Sequence, residues 1–202
     1  MKKLSFCLII LSIFFSGCKQ LIYWKYGIKN PKPETPESIL GFIKKWKQDS
    51  QETYIFKDSS AFFRYMNDPV YKKNLLGSMF YNEKGLLINF KDSTKCQWSA
   101  GYFVSRLRAD TLYQTDTTYK YQEILADLIP VRAPDSPVRH DSSYDYTVII
   151  TWAKYLGKYN ERLFVASESV NENNKAKIRL ILLNIDMQKS WNLRKDQRIR
   201  IN

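Results

Sequence analysis

Residues Val148–Tyr159 read VIITWAKYLGKY. Val148, Ile149 and Ile150 are consecutive β-branched residues inside the strand-like run Tyr146–Trp152, as expected for a strand covered on both faces. The run ends at Trp152-Ala153, and Gly157 follows four residues later. Asn160 is suited to cap a helix in which Leu163, Ala166 and Val170 share a face. Lys177–Ile185 is again strand-like, carrying Ile178, Leu180, Ile181, Leu182, Leu183 and Ile185. Strand, helix and strand of these lengths form a βαβ unit, whose two parallel strands require a right-handed crossover.

Upstream lie the parts of a second α/β half. Thr35 caps a helix with Pro36 and Glu37 in its first turn, and Ile39, Leu40, Ile43 and Trp46 recur at helical spacing. A short strand is expected around Thr53–Phe56. Asp58-Ser59-Ser60 opens a second helix bearing Phe62, Phe63 and Met66, which ends near Asp68-Pro69. Gly77–Tyr81 and Leu86–Phe90 flank Asn82-Glu83-Lys84-Gly85, a hairpin whose glycine supplies positive φ. A third helix is expected over Ser99–Arg108 and a shorter one over Tyr121–Leu128. Ile129–Ser143 contains Pro130, Pro134 and Pro137 and reads as a loop. The chain closes in a basic, poorly periodic tail, 189–202, and has no internal repeat or low-complexity segment.

Trp152-Ala153-Lys154-Tyr155-Leu156-Gly157-Lys158-Tyr159, then a helix, then Asn184-Ile185-Asp186, resembles thioredoxin. In that family an apolar strand runs into Trp-Ala-x-Trp-Cys-Gly-Pro-Cys, and the next strand often ends in Asn-Ile-Asp. Trp152, Ala153 and Gly157 match. Tyr155 takes the place of the second Trp and Lys158 that of the proline. Leu156 and Tyr159 stand where the two redox cysteines belong. Dithiol chemistry needs one attacking thiolate and one resolving thiol, so the resemblance implies a thioredoxin-like domain without that activity. The implied fold is α/β, a central mixed sheet with flanking helices. Its element order is unusual: helix, strand, helix, hairpin and helix precede the βαβ unit. Either both halves form one sheet, as in a circular permutation, or the chain is a diverged α/β sandwich that is thioredoxin-like only locally. The proline that faces the redox site in the family has no match, because Leu76-Gly77-Ser78 stands there.

The N-terminus carries a different signal. Met1-Lys2-Lys3 is basic, Leu4–Phe15 is apolar but too short to span a bilayer, and Phe15-Ser16-Gly17-Cys18 follows. This resembles the lipobox of bacterial lipoproteins, of the Bacteroidetes type in particular, with Phe15 where Leu is usual. The resemblance implies cleavage before Cys18 and acylation of its thiol. The expected organisation is a signal peptide (1–17), a lipid-anchored tether (18–34) and one domain (35–188), followed by the tail. Within the domain, 35–108 is the hairpin half, 109–144 a connecting segment and 145–188 the βαβ half. Asn30-Pro31-Lys32-Pro33 and Pro36 make the tether stiff. Leu21, Ile22, Tyr23, Trp24 and Tyr26 either lie in the membrane interface or pack on the domain. Lys19-Gln20 lacks the acidic stretch associated with surface export, which places the expected location at the outer membrane, facing the periplasm.

Cleavage would remove Cys7 and consume Cys18, leaving Cys96 the one thiol and no internal disulfide. Roughly 160 residues must then hold together by core alone, enough for one domain. The chain is 44% hydrophobic and 15% aromatic, which excludes general disorder. Its formal charge falls from +12 to +10 once Lys2 and Lys3 are removed. Export and the scatter of basic residues argue against nucleic acid. Anionic lipid or lipopolysaccharide phosphates are the alternative to a merely solvated surface.

Little else in the sequence can do chemistry. Cys96, beside Lys95, is either a reactive thiol or an inert half-buried one. His140 lies in Arg139-His140-Asp141-Ser142-Ser143, but adjacency in sequence is not triad geometry, and the loop reads as exposed. One histidine and one thiol are too few for zinc. Asp110, Asp116, Asp127 and Asp135 are dispersed, and none of the seven glycines builds a phosphate loop. No metal or cofactor is expected. The expected role is binding or scaffolding through the degenerate motif, Trp152, Tyr155, Leu156, Gly157, Lys158 and Tyr159, with a protein or anionic envelope partner. The rival readings are a one-cysteine reductase or peroxidase using Cys96 and an anionic-lipid-binding module.

Overall fold

A computed structural model describes residues 21–48, 52–89, 99–136 and 138–198. Cys18 and Cys96 lie outside these residues. Residues 21–26 are helical, and the proline-containing stretch 28–33 has no regular structure. Thr35 accepts from the Ser38 amide and opens α1 (Pro36–Lys45), whose Ile39 and Ile43 are fully buried. β1 (Thr53–Phe56) is buried along its whole length. Asp58 caps α2 (Ser59–Asn67) through the Ala61 amide at 2.7 Å, and Asp68 caps α3 (Pro69–Lys73) in the same way. β2 (Ser78–Asn82) and β3 (Leu86–Ile88) form the hairpin. In its turn Gly85 adopts φ +74°, and the Asn82 carboxamide oxygen accepts from the Lys84 and Leu86 amides.

The chain continues through α4 (Ser99–Arg106), β4 (Thr115–Lys120), α5 (Tyr121–Leu125) and β5 (Leu128–Pro130) to β6 (Tyr146–Trp152). A 3₁₀ turn over Lys154–Leu156 leads into α6 (Tyr159–Glu172), and β7 (Ile178–Asn184) completes the βαβ unit. One seven-stranded sheet results, in the order β4-β3-β2-β6-β7-β1-β5. β6 and β1 run parallel to β7, and the remaining pairs are antiparallel. Both halves of the chain therefore share a single sheet, with the β6–β7 pair seated between β2 and β1. This is a mixed sheet flanked by helices, consistent with a thioredoxin-like α/β fold.

The alternation of β6 sorts the helices onto two faces. Trp152 stacks on Phe42 of α1 (centroids 5.4 Å apart, 12° between planes) and tilts against Phe164 of α6. On the opposite face Tyr81 meets Tyr121 of α5, and Phe56 meets Phe62 and Tyr65 of α2. Trp152, Val148, Ile149 and Ile150 are all fully buried, in line with the uninterrupted apolar run from which the strand was read.

Several expectations shift. Thr115–Lys120, read as polar connecting chain, is the edge strand β4: none of its residues is buried, and its threonines suit a pleated edge. The helix expected to run to Leu128 ends at Leu125. Ala126 and Asp127 turn the chain so that Leu128–Pro130, partly assigned to a loop, pairs with β1. The helix expected to reach Arg108 ends at Arg106. Asn160 does not cap α6: it sits inside the first turn, fully buried. His140 is half-buried, its ring edge-on to Tyr121 at 5.4 Å, so its loop is not simply exposed. In the basic tail, Trp191 packs on Phe62 at 5.2 Å and Leu193 is buried.

Candidate functional site

The degenerate motif leaves the C-terminal end of β6, beside the end of β7. Ligands of open α/β sheets bind outside the carboxyl ends of parallel strands, so this edge is where a site is sought first. Trp152 belongs to the core and not to the surface. Ala153 is also buried, and Leu156 is only 3% exposed. Tyr155 and Tyr159 are half-buried and Lys158 is exposed. Asn160 holds the loop in shape: its amide donates to the carbonyls of Ala153 and Gly157, both at 2.9 Å, and its oxygen accepts from the Ala153 amide. Thr151 links the loop to the start of β2 by donating its amide to the Gly77 carbonyl at 3.1 Å. Leu76-Gly77-Ser78 thus lies beside this edge, and no cis peptide bond occurs among the described residues.

The outer side of the motif is covered by the chain itself. The Lys158 amide donates to the Tyr26 carbonyl at 2.7 Å, and the Lys29 amide donates to the Tyr155 carbonyl at 2.8 Å. Tyr26 meets the Tyr159 ring edge-on at 5.7 Å, with the Arg162 guanidinium 4.7 Å from the Tyr26 ring centre. Gly157 adopts φ +55°, and a Cβ there would collide with the carbonyl oxygens of Tyr26 and Gly27. Further along the same segment, Glu34 bridges to Gln188, while its carboxylate binds the Lys154 ammonium at 2.6 Å and Ser38 closes the cluster through both groups. The N-terminal segment therefore docks on the edge where the family would place its redox centre.

Asp186 is the buried ionisable group of this edge, 1% exposed. Its Oδ2 accepts from the Lys154 amide (2.7 Å) and the Asn184 amide (2.8 Å), while Oδ1 is buried without a partner. Burial pushes its carboxyl up to about 6, against the pull of those two hydrogen bonds. Leu156 and Tyr159 supply an alkyl and a phenol side chain here and no thiol, and no group of three His, Cys, Asp or Glu able to hold a metal exists among the described residues. Asp141 accepts from the Ser143 amide at 2.9 Å, an Asx turn within its own loop.

Two clusters gave no local signal in the sequence. Arg179, on β7, is 8% exposed. It donates to the Tyr121 hydroxyl (2.8 Å), the Arg139 carbonyl (2.7 Å), the Glu52 carboxylate (3.0 Å) and the Tyr54 hydroxyl (3.2 Å). A charge in the middle of Ile178-Arg179-Leu180 was its only trace, since its partners come from remote elements. The second cluster gathers Tyr65, Tyr71 and Tyr119 around a cleft beside Asp68 and Glu123. Comparison of the chain with protein-family models, curated proteins and solved structures finds no significant match.

Proposed function

We propose that the chain is a lipid-anchored cell-envelope protein, facing the periplasm, whose thioredoxin-like domain binds rather than catalyses. The observation that carries this reading is the motif edge. Leu156 is core, Tyr159 meets Tyr26 edge-on, and the backbone of 26–29 occupies the loop's outer side. A disulfide substrate would find neither thiol nor groove there. The anchor follows from Cys18, eight residues before Tyr26; with 21–26 helical at about 1.5 Å per residue and the rest at no more than about 3.5 Å, the reach is at most about 18 Å. The docked segment would then turn the motif edge toward the bilayer.

The lipid-binding reading gains from one further observation. On the helical turn 21–26, Trp24 is 84% exposed, with Leu21 and Ile22 also exposed beside Lys25. Large apolar side chains next to cations favour the membrane interface. Among the described residues no helix is long and apolar enough to cross a membrane.

The test uses the full chain expressed in a bacterial envelope with labelled palmitate. The expected result is acylated protein in the membrane fraction, loss of label on Cys18→Ser, and no catalytic reduction of insulin disulfides. Wild-type protein without label would overturn the anchor. Disulfide reduction abolished by Cys96→Ser would instead establish the thiol enzyme.

A further inference from the structure

The cleft on the α2–α3–α5 face is unlike the rest of this basic protein. It measures about 210 Å³ and is walled by aromatic rings. Tyr65 and Tyr71 stack at 4.8 Å with 9° between planes, and Tyr119 of the edge strand β4 meets Tyr71 at 5.6 Å and 76°. The rings of Tyr71 and Tyr119 therefore form two walls close to a right angle. Tyr65 is 4% exposed, and its hydroxyl is buried with no hydrogen-bond partner. A buried phenol in a well-satisfied core is normally paired, so its lone state marks a cleft not filled by the protein's own groups.

The rim is acidic. Asp127 is engaged by Lys57 (3.0 Å) and Arg64 (2.8 Å), which leaves Asp68 and Glu123 to set the local field. Asp68 Oδ1 accepts two backbone amides as the α3 cap, and among the described residues Glu123 forms no ion pair. Burial, then the charges of Asp68 and Glu123, push the Tyr71 phenol well up, the direction that a negative potential in the cleft produces. On a chain of formal charge +12, an aromatic hollow with Asp68 and Glu123 on its rim, neither of them ion-paired among the described residues, is electrostatically the exception.

We propose that this cleft binds a small organic cation, an alkyl-substituted ammonium group held against Tyr71 and Tyr119 and beside Glu123 and Asp68. Aromatic faces attract weakly hydrated ammonium centres, whereas hard metal ions require several converging oxygens. Drug-sized ligands occupy about 300–1,000 Å³, so the smaller volume suits a headgroup or a free amine. The inference rests on the cleft alone and neither needs nor tests the lipid anchor.

Choline chloride is the probe, added to the full chain in maltoside micelles and followed by saturation-transfer NMR on its methyl protons. Its uncharged carbon isostere, 3,3-dimethylbutan-1-ol, is the reference. Choline is expected to bind saturably and at least about tenfold more tightly than the isostere. Glu123→Gln, on an exposed position of a short helix, should weaken choline roughly three- to tenfold. Tyr119→Ala should weaken it further, and Glu172→Gln on α6 should change nothing. Equal binding of the isostere, an unaffected Glu123→Gln protein, or no saturable signal each overturn the proposal. Competition by short-chain phosphatidylcholine added to the same micelles assigns the ammonium to a lipid headgroup, and absence of competition assigns it to a free solute.

Discussion

Asp186 is a carboxyl group with one well-served oxygen and one orphan, and that asymmetry fixes its pH behaviour. Protonation on Oδ1 removes a buried charge while Oδ2 keeps its hydrogen bonds from Lys154 and Asn184. Its folded pKa of about 6 lies above the ordinary aspartate value of about 3.9. The folded state thus holds the proton more tightly than the unfolded chain does. The stabilisation is complete below about pH 4 and is lost as pH rises through about 6, a change of roughly 2–3 kcal/mol. Denaturation midpoints measured from pH 4 to 7.5 should fall across that window and then level off. Asp186→Asn should flatten the slope, because the amide keeps an acceptor for both donors and cannot ionise. A slope unchanged by that substitution would assign the titration to another group.

At the scale of elements, the docking of segment 21–29 onto the motif loop is a contact between backbones. Gly157 makes it possible twice over, by its positive φ and by its missing Cβ. Gly157→Ala should therefore cost about 2–4 kcal/mol, of which backbone strain alone accounts for about 1–3. In a chain lacking residues 21–29 the collision partner is gone, and the cost should drop to the strain component. Thermal unfolding of the four variants in the cycle measures the coupling, and equal costs in both backgrounds would show that the segment does not dock. The same contrast explains what could be read from sequence. β6, α6, β7 and the Gly85 hairpin announce themselves because periodicity and turn chemistry are local. β4 did not, since a polar edge strand such as Thr115–Lys120 is defined by its neighbour β3 and not by its own pattern. The motif residues were found, and packing of Leu21–Tyr26 on the domain was one of two readings, but that this segment covers the motif was not. Tyr26 and Tyr159 lie far apart in the chain, and nothing local to either encodes the other.

At the scale of the molecule, the sheet order makes the two halves of the chain inseparable. β1 and β2 both come from the first half, yet the β6–β7 pair lies between them, so neither half retains its sheet partners alone. Arg179 reinforces this by tying β7 to Glu52 before β1, Tyr54 on β1, Tyr121 on α5 and the Arg139 carbonyl. Such a guanidinium contributes little net stability against an apolar replacement of the whole cluster. Removing it alone takes a donor from the Tyr121 hydroxyl and the Arg139 carbonyl and the cation from Glu52, which is partly exposed and keeps its hydrogen bond from the Tyr54 hydroxyl. Arg179→Met should then cost about 1–3 kcal/mol. It should lower one transition rather than create two, because its partners span both halves. Tryptophan fluorescence reports side-chain packing on both faces of the sheet, through Trp46 and Trp152 on one and Trp191 on the other, and far-ultraviolet circular dichroism reports the whole backbone. In wild type and Arg179→Met alike, the two midpoints should coincide in urea, as a single cooperative unit requires. Separated midpoints in the wild type would mean that the chain does not unfold as one unit and that the shared sheet is not the source of cooperativity.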